Sequence, residues 1–267
     1  MAEKQIEEVQ NEINDFVNSS HEIVTYITDN NSENDSSSSE IDAMLGMFAM
    51  NVVDRAETIC RLCPLNRYDS VGVLTRSIFE VYLYLLYILQ KDTDRRVKAF
   101  LYHSRLNNIT CMIDFEKNNG DEHSQYSLEE ISAEVPGAES LNDMKEHYEG
   151  LFINLFKHKP KKWWSRNWYD LDQSKKTNIP NLMKRLEIDH SLYSEVYKLY
   201  SMDVHGSNLL NYTAALAGKN SGLNLATMGN LAKIVVRNSL EAILNYYKLD
   251  AQDMAEHFVI LEKSITN

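Results

Sequence analysis

The chain has 267 residues, a formal net charge of −12 and a hydrophobic share of 43%. That composition supports a buried core and disfavours nonspecific coating of nucleic acid, although a local basic patch could still hold phosphate. With 9 Gly and 4 Pro, the chain is too poor in turn residues for an all-β fold.

Residues 3 to 28 place Ile6, Val9, Ile13, Phe16, Val17, Val24 and Ile27 at helical spacing, with acids between them. This predicts an amphipathic first helix, whose apolar face needs cover from the body of the fold or from a second chain. Residues 30 to 40, NNSENDSSSSE, are polar low-complexity sequence and read as a linker. The expected organisation is an N-terminal helix at 1–29, that linker, and one helical domain over 41–267. Ser39 is placed to cap a second helix, which runs through Leu45, Phe48, Val52 and Ile59 until Pro64 stops it.

The stretch VGVLTRSIFEVYLYLLYIL, residues 71 to 89, is apolar on every side except at Arg76 and Glu80. A helix of that kind belongs in the middle of a domain. The uninterrupted run after Glu80 is too short for a membrane span, which needs about 20 apolar residues. Asp69 or Ser70 is expected to cap this central helix. Thr93 opens another, and Ser127 with Glu130 forms a capping-box pattern for a short one before Pro136. Further helices are expected over 139–157, 179–187, 190–204, 207–217 and 224–248, with Gly206 at a C-cap. Asp250 is placed to cap a last amphipathic helix, and residues 157–178 read as irregular. The predicted fold class is all-α, about eight to ten helices around the 71–89 segment.

Three cysteines, Cys60, Cys63 and Cys111, with no leader pattern, point to reduced thiols and a cytoplasmic protein. Cys60 and Cys63 form a CxxC, but a zinc site would need a second ligand pair that Cys111 alone does not supply. Both are read as structural, and no metal or cofactor is expected. Glycine-rich phosphate loops, nucleophile elbows and HExxH helices do not occur.

Two constellations carry candidate chemistry. Arg76 and Glu80 lie four residues apart and share one helix face. With His205 they would make an anion clamp, a proton-orienting carboxylate and an acid/base. The bland alternative is a polar cluster in which Arg76 and Glu80 satisfy each other. In the second constellation, Lys157, Lys159, Lys161, Lys162 and Arg166 alternate with Trp163, Trp164 and Trp168. Basic groups contact phosphates and flat rings stack on bases, so Lys161, Lys162 and Trp168 are candidate contacts to RNA or a nucleotide. The alternative is a loop whose tryptophans plug the core.

Helical ribonucleases with the higher-eukaryote and prokaryote nucleotide-binding fold use an Arg followed by four to six residues and a His. Arg96 to His103 and Arg185 to His190 fit that spacing, but chance placement in a chain this rich in Arg and His yields such pairs. Val97 and Leu186 also stand where a polar residue commonly follows the Arg.

Two blocks together are more specific: LTRSIFEVYLYLLYI at 74–88 and the segment at 167–207. An Arg-x3-Glu helix, a Trp-led segment and Tyr-x3-Ser-x3-His-Gly follow one another, at Arg76, Glu80, Trp168, Tyr197, Ser201, His205 and Gly206. This arrangement, over roughly residues 45–210, resembles a widespread prokaryotic family of all-helical proteins of unknown function. The resemblance implies a helical fold and a shared polar site, with Tyr197 and Ser201 as further substrate contacts, and by analogy a place in mobile or defence-associated loci. The resulting expectations are an RNase-like or other phosphate-centred effector, a noncatalytic nucleic-acid or nucleotide binding module, or a partner in a protein complex or homo-oligomer formed through the terminal helices. No membrane partner is expected.

Overall fold

The computed structural model describes residues 2–30, 39–120, 127–189 and 225–266. Among these residues the chain forms α-helices and short 3-10 turns, with no strand. In chain order the helices are α1 (Ala2–Asn30), α2 (Ser39–Leu62), α3 (Tyr68–Gln90), α4 (Thr93–Asn119) and α5 (Leu128–Glu134). They continue with α6 (Leu141–Asn154), α7 (Ile179–Arg185), α8 (Leu225–Tyr247) and α9 (Ala255–Thr266). The all-α fold predicted from the sequence is therefore present. The helices expected at 190–204 and 207–217, with Gly206, lie outside the described residues, as does most of the 30–40 linker.

The helices fall into two compact units, one formed by residues 1–91 with 183–267 and the other by 92–182. In the first unit α3 packs against α2 and α8, and α1 lies against both α2 and α9. The apolar face of the first helix thus has its cover within the chain: Ile13, Phe16, Val17, Ile23, Val24 and Ile27 are all buried. Tyr26 donates a hydrogen bond of 2.6 Å to the Asp253 carboxylate, tying α1 to the 3-10 turn that leads into α9. The window Ser70–Gln90 is long and apolar enough to cross a membrane, but half of it is buried inside the fold. Ile78, Phe79, Leu83, Leu85 and Ile88 carry most of that burial.

Local signals explain most boundaries. Pro64 sits in the 3-10 turn Cys63–Leu65 after α2, and Asn66 turns the chain in the left-handed region at φ 55°. The sequence expectation for the start of α3 needs correction. Arg67, not Asp69 or Ser70, stands at the N-cap, with no side-chain cap bond, because the helix resumes directly after the Asn66 reversal. The Ser127 capping box forms as expected, with Glu130 reaching back to the Ser127 amide at 2.8 Å. Asp250 accepts from the Gln252 amide at 2.9 Å, ahead of α9.

In the second unit α4 pairs with α6. Ile109, Ile113, Ile131, Val135, Leu141 and Met144 from α4, α5, the turn after it and α6 make one apolar cluster. This is a scaffold of three helices from which residues 155–178 run as an irregular segment, broken only by a 3-10 turn at Trp163–Ser165.

Truncating the buried face of α3 tests this packing. Leu83→Ala, at a fully buried position, is expected to cost about 2–5 kcal/mol. Val73→Ala on the same helix, where Val73 is 38% exposed, should cost under about 1 kcal/mol. Urea denaturation reads both, and equal losses would contradict the orientation of the helix.

Candidate functional site

The first unit carries a polar seam on α3. One turn of helix separates Arg76 from Glu80, and Arg76 Nη2 donates to Glu80 Oε1 at 3.2 Å. The pair is neither deeply buried nor fully solvated, with 18% and 25% of the two side chains exposed. A third group joins from α2, where Arg55 Nη1 donates to the Ser77 hydroxyl, next to Arg76 on α3. Burial pushes the Arg55 guanidinium below its usual range and the nearby Glu80 carboxylate pulls it back. Arg55 stays a cation at any physiological pH. Sequence reading missed it, because Arg55 falls at the edge of an apolar stripe where a solvated arginine is ordinary.

His205, Tyr197 and Ser201 lie outside the described residues. What the structure brings together is Arg55, Ser77, Arg76 and Glu80.

The second unit carries the basic segment, and its two acids face structural partners. Asp170, fully buried, accepts from the backbone amides of Asn167 at 3.1 Å and Thr177 at 3.0 Å, and from the Thr177 hydroxyl. Asp172 pairs with Arg95 at 3.1 Å. Arg95, in the first turn of α4, also donates to the carbonyls of Leu155 at 2.8 Å and Leu171 at 3.3 Å, joining the start of the segment to a later stretch of it. Asn167 Nδ2 closes the loop on the Thr177 carbonyl at 2.7 Å. Lys157, Lys159, Lys161, Lys162, Lys175 and Lys176 are left exposed. Between residues 157 and 176 seven basic residues stand against two acids, in a chain of net charge −12.

The tryptophans divide. Trp163 and Trp168 are only 5% and 4% exposed. Trp168 meets Phe100 edge-on at 5.1 Å between ring centres. It is a core side chain that leaves little surface for a base. Trp164 is 51% exposed, with Lys162 Nζ 5.0 Å from its ring centre. Lys161 and Lys162 are exposed, and Trp164 is the exposed ring of the three tryptophans.

The spacing pairs of the ribonuclease pattern fare differently. Arg96 is buried at 2% exposure. His103 packs its ring 5.7 Å from both Phe152 and Trp163. Burial first, and Lys176 second, push the His103 pKa down to about 4, so the ring is neutral at pH 7. Arg185 sits 5.7 Å over the Tyr87 ring, and His190 is outside the described residues. The three cysteines are free thiols. Burial raises Cys60 and Cys63 to about 11, which keeps them protonated and unreactive at neutral pH.

A depressed His103 pKa makes a pH prediction with a definite sign. The ring titrates near 6.5 when unfolded and near 4 when folded, so between those values the unfolded chain binds the extra proton. His103 therefore supports the folded state fully above pH 6.5, and that support is lost as pH falls toward 4. Trp163, Trp164 and Trp168 all lie in the second unit, so tryptophan fluorescence reports its unfolding. Between pH 7 and 4.5, His103→Gln should lose roughly 2 kcal/mol less urea stability than the wild type. Parallel losses would contradict the buried neutral ring.

No curated protein and no solved structure matches the chain. A family profile matches residues 42–220, which takes in α2 to α7. The matched region contains the Arg55–Arg76–Glu80 seam and the whole basic segment, and by that match the chain belongs to the Family of unknown function (DUF5677).

Proposed function

We propose that the protein binds RNA or a related single-stranded polyanion on the second unit, through the surface of residues 157–176. The observation that carries this reading is the internal use of both carboxylates of that segment. Asp170 holds the loop's own amides and Asp172 holds Arg95, so the outer face carries lysines and one open indole. Lysines neutralise phosphates and release counterions, while an exposed ring stacks on a base without sequence preference. A cytoplasmic place accords with the three free thiols.

Titration of labelled single-stranded RNA at several salt concentrations tests it. Replacing Lys161 and Lys162 together by Gln should weaken binding and lower the salt slope by about 1.4, the contribution of two phosphate contacts on a single strand. Trp164→Ala should cost about 1–3 kcal/mol of affinity, while buried Trp168→Phe should cost far less. Binding untouched by either surface change would remove the reading.

A second reading concerns the first unit: an RNase-like effector of prokaryotic defence, with Arg76 as anion clamp, Glu80 as orienting group and His205 as acid/base. The presence of Arg55 at the same seam favours it, since a second guanidinium suits phosphate chemistry. Purified protein should then cleave RNA, and His205→Ala should abolish the cleavage; equal cleavage by both proteins would sink it.

A further inference from the structure

We propose that Arg55 and Arg76, on neighbouring helices at Glu80, form a receptor for a single phosphate group. The inference gives a ligand class to the first-unit site of the second reading above, and it rests on that site rather than on the basic segment.

Arg55 has the leading role. Its guanidinium offers five N–H donors, and among the described residues its one hydrogen bond goes to the Ser77 hydroxyl. Its charge is half-buried, and burial disfavours it. Glu80 is the carboxylate whose charge reaches Arg55, yet the bond Glu80 accepts comes from Arg76. Arg55 therefore shares a carboxylate that is already engaged. A partly desolvated guanidinium in that position is completed by an oxyanion, which accepts the remaining donors. A tetrahedral phosphate can take donors from two guanidinium forks at once. Ser77, which follows Arg76 on α3, holds Arg55 through its hydroxyl. Glu80 works against the incoming anion: it stands beside both cations and repels a phosphate, so the receptor is tuned to hold one weakly enough to exchange.

The group could come from free phosphate or from a nucleotide chain. The test uses the full chain with inorganic phosphate, a short RNA, and chloride at matched ionic strength. Calorimetric titration of wild type, Arg55→Gln, Arg55→Lys and Glu80→Gln reads the affinity. Phosphate, and not chloride, should bind the wild type. Arg55→Gln should weaken that binding about tenfold or more, the loss of a charge-assisted pair. Arg55→Lys should keep part of it, and Glu80→Gln should tighten it by removing the competing charge. To separate the sources, RNA is titrated into a protein that carries Lys161→Gln and Lys162→Gln. RNA binding that survives there and is displaced by phosphate assigns the receptor to a chain phosphate; phosphate binding without it assigns the receptor to the free ion. Both outcomes support the proposal. No phosphate binding by the wild type overturns it, and so does equal binding by Arg55→Gln. Phosphate binding in a protein that cleaves no RNA would leave the receptor standing and remove only the catalytic reading.

Discussion

Covering α3 is the constraint on which the first unit depends. The helix runs for 23 residues and buries Val71, Ile78, Phe79, Leu83, Leu85, Tyr87 and Ile88. Leaving such a surface in water costs about 25 cal/mol for each Å² of apolar area, several kcal/mol over a few side chains. Among the described residues, α2 and α8 supply the cover, and α1 and α9 then cover those. The terminal helices are in this way the outer layer of a packing order that begins at α3. The same order explains where charge is allowed on the helix. Arg76 and Glu80 retain some exposure, which keeps the desolvation cost below that of a fully buried pair.

The second unit solves a different problem. An irregular segment of more than twenty residues has many backbone donors and acceptors and no helix to pair them. Asp170 takes two of the donors, and Arg95 takes two of the acceptors. One buried acid and one arginine from the first turn of α4 thus do locally what a helix does by repetition. The consequence is electrostatic. With Asp170 buried and Asp172 paired to Arg95, the exposed lysines of the segment outnumber its acids, in a chain with net charge −12.

The sequence made the helices legible because periodicity, caps and breakers agreed. The stop at Pro64, the start at Thr93 and the Ser127 box all form as read. The start of α3 was misread because capping rules look for an acceptor side chain, and here the backbone turn at Asn66 sets the start instead. The units divide at Lys91–Asp92, where a single left-handed Asp92 joins two helices and no change in composition marks the place. For the site, pairing of Arg76 with Glu80 followed from a four-residue spacing. Arg55 did not, because its partner is more than twenty residues away and only the packing of α2 on α3 joins them.

The three tryptophans illustrate the limit most clearly. Composition treats them alike, yet Trp163 and Trp168 fill the aromatic interior while Trp164 keeps half of its surface in water. Burying an indole of roughly 200 Å² would be worth about 5 kcal/mol, so half exposure forgoes about half of that. The fold does not require the sacrifice, since its neighbours on either side already occupy the core. Part of the deficit is offset by Lys162, whose ammonium stands over the ring. A cation already resting on an exposed indole is also the arrangement that a phosphate and its base would meet. The lysine would turn to the phosphate and leave the ring to the base. Exchange of one partner for another at little net cost is a physical reason to regard Trp164, rather than its buried neighbours, as the working face of the segment.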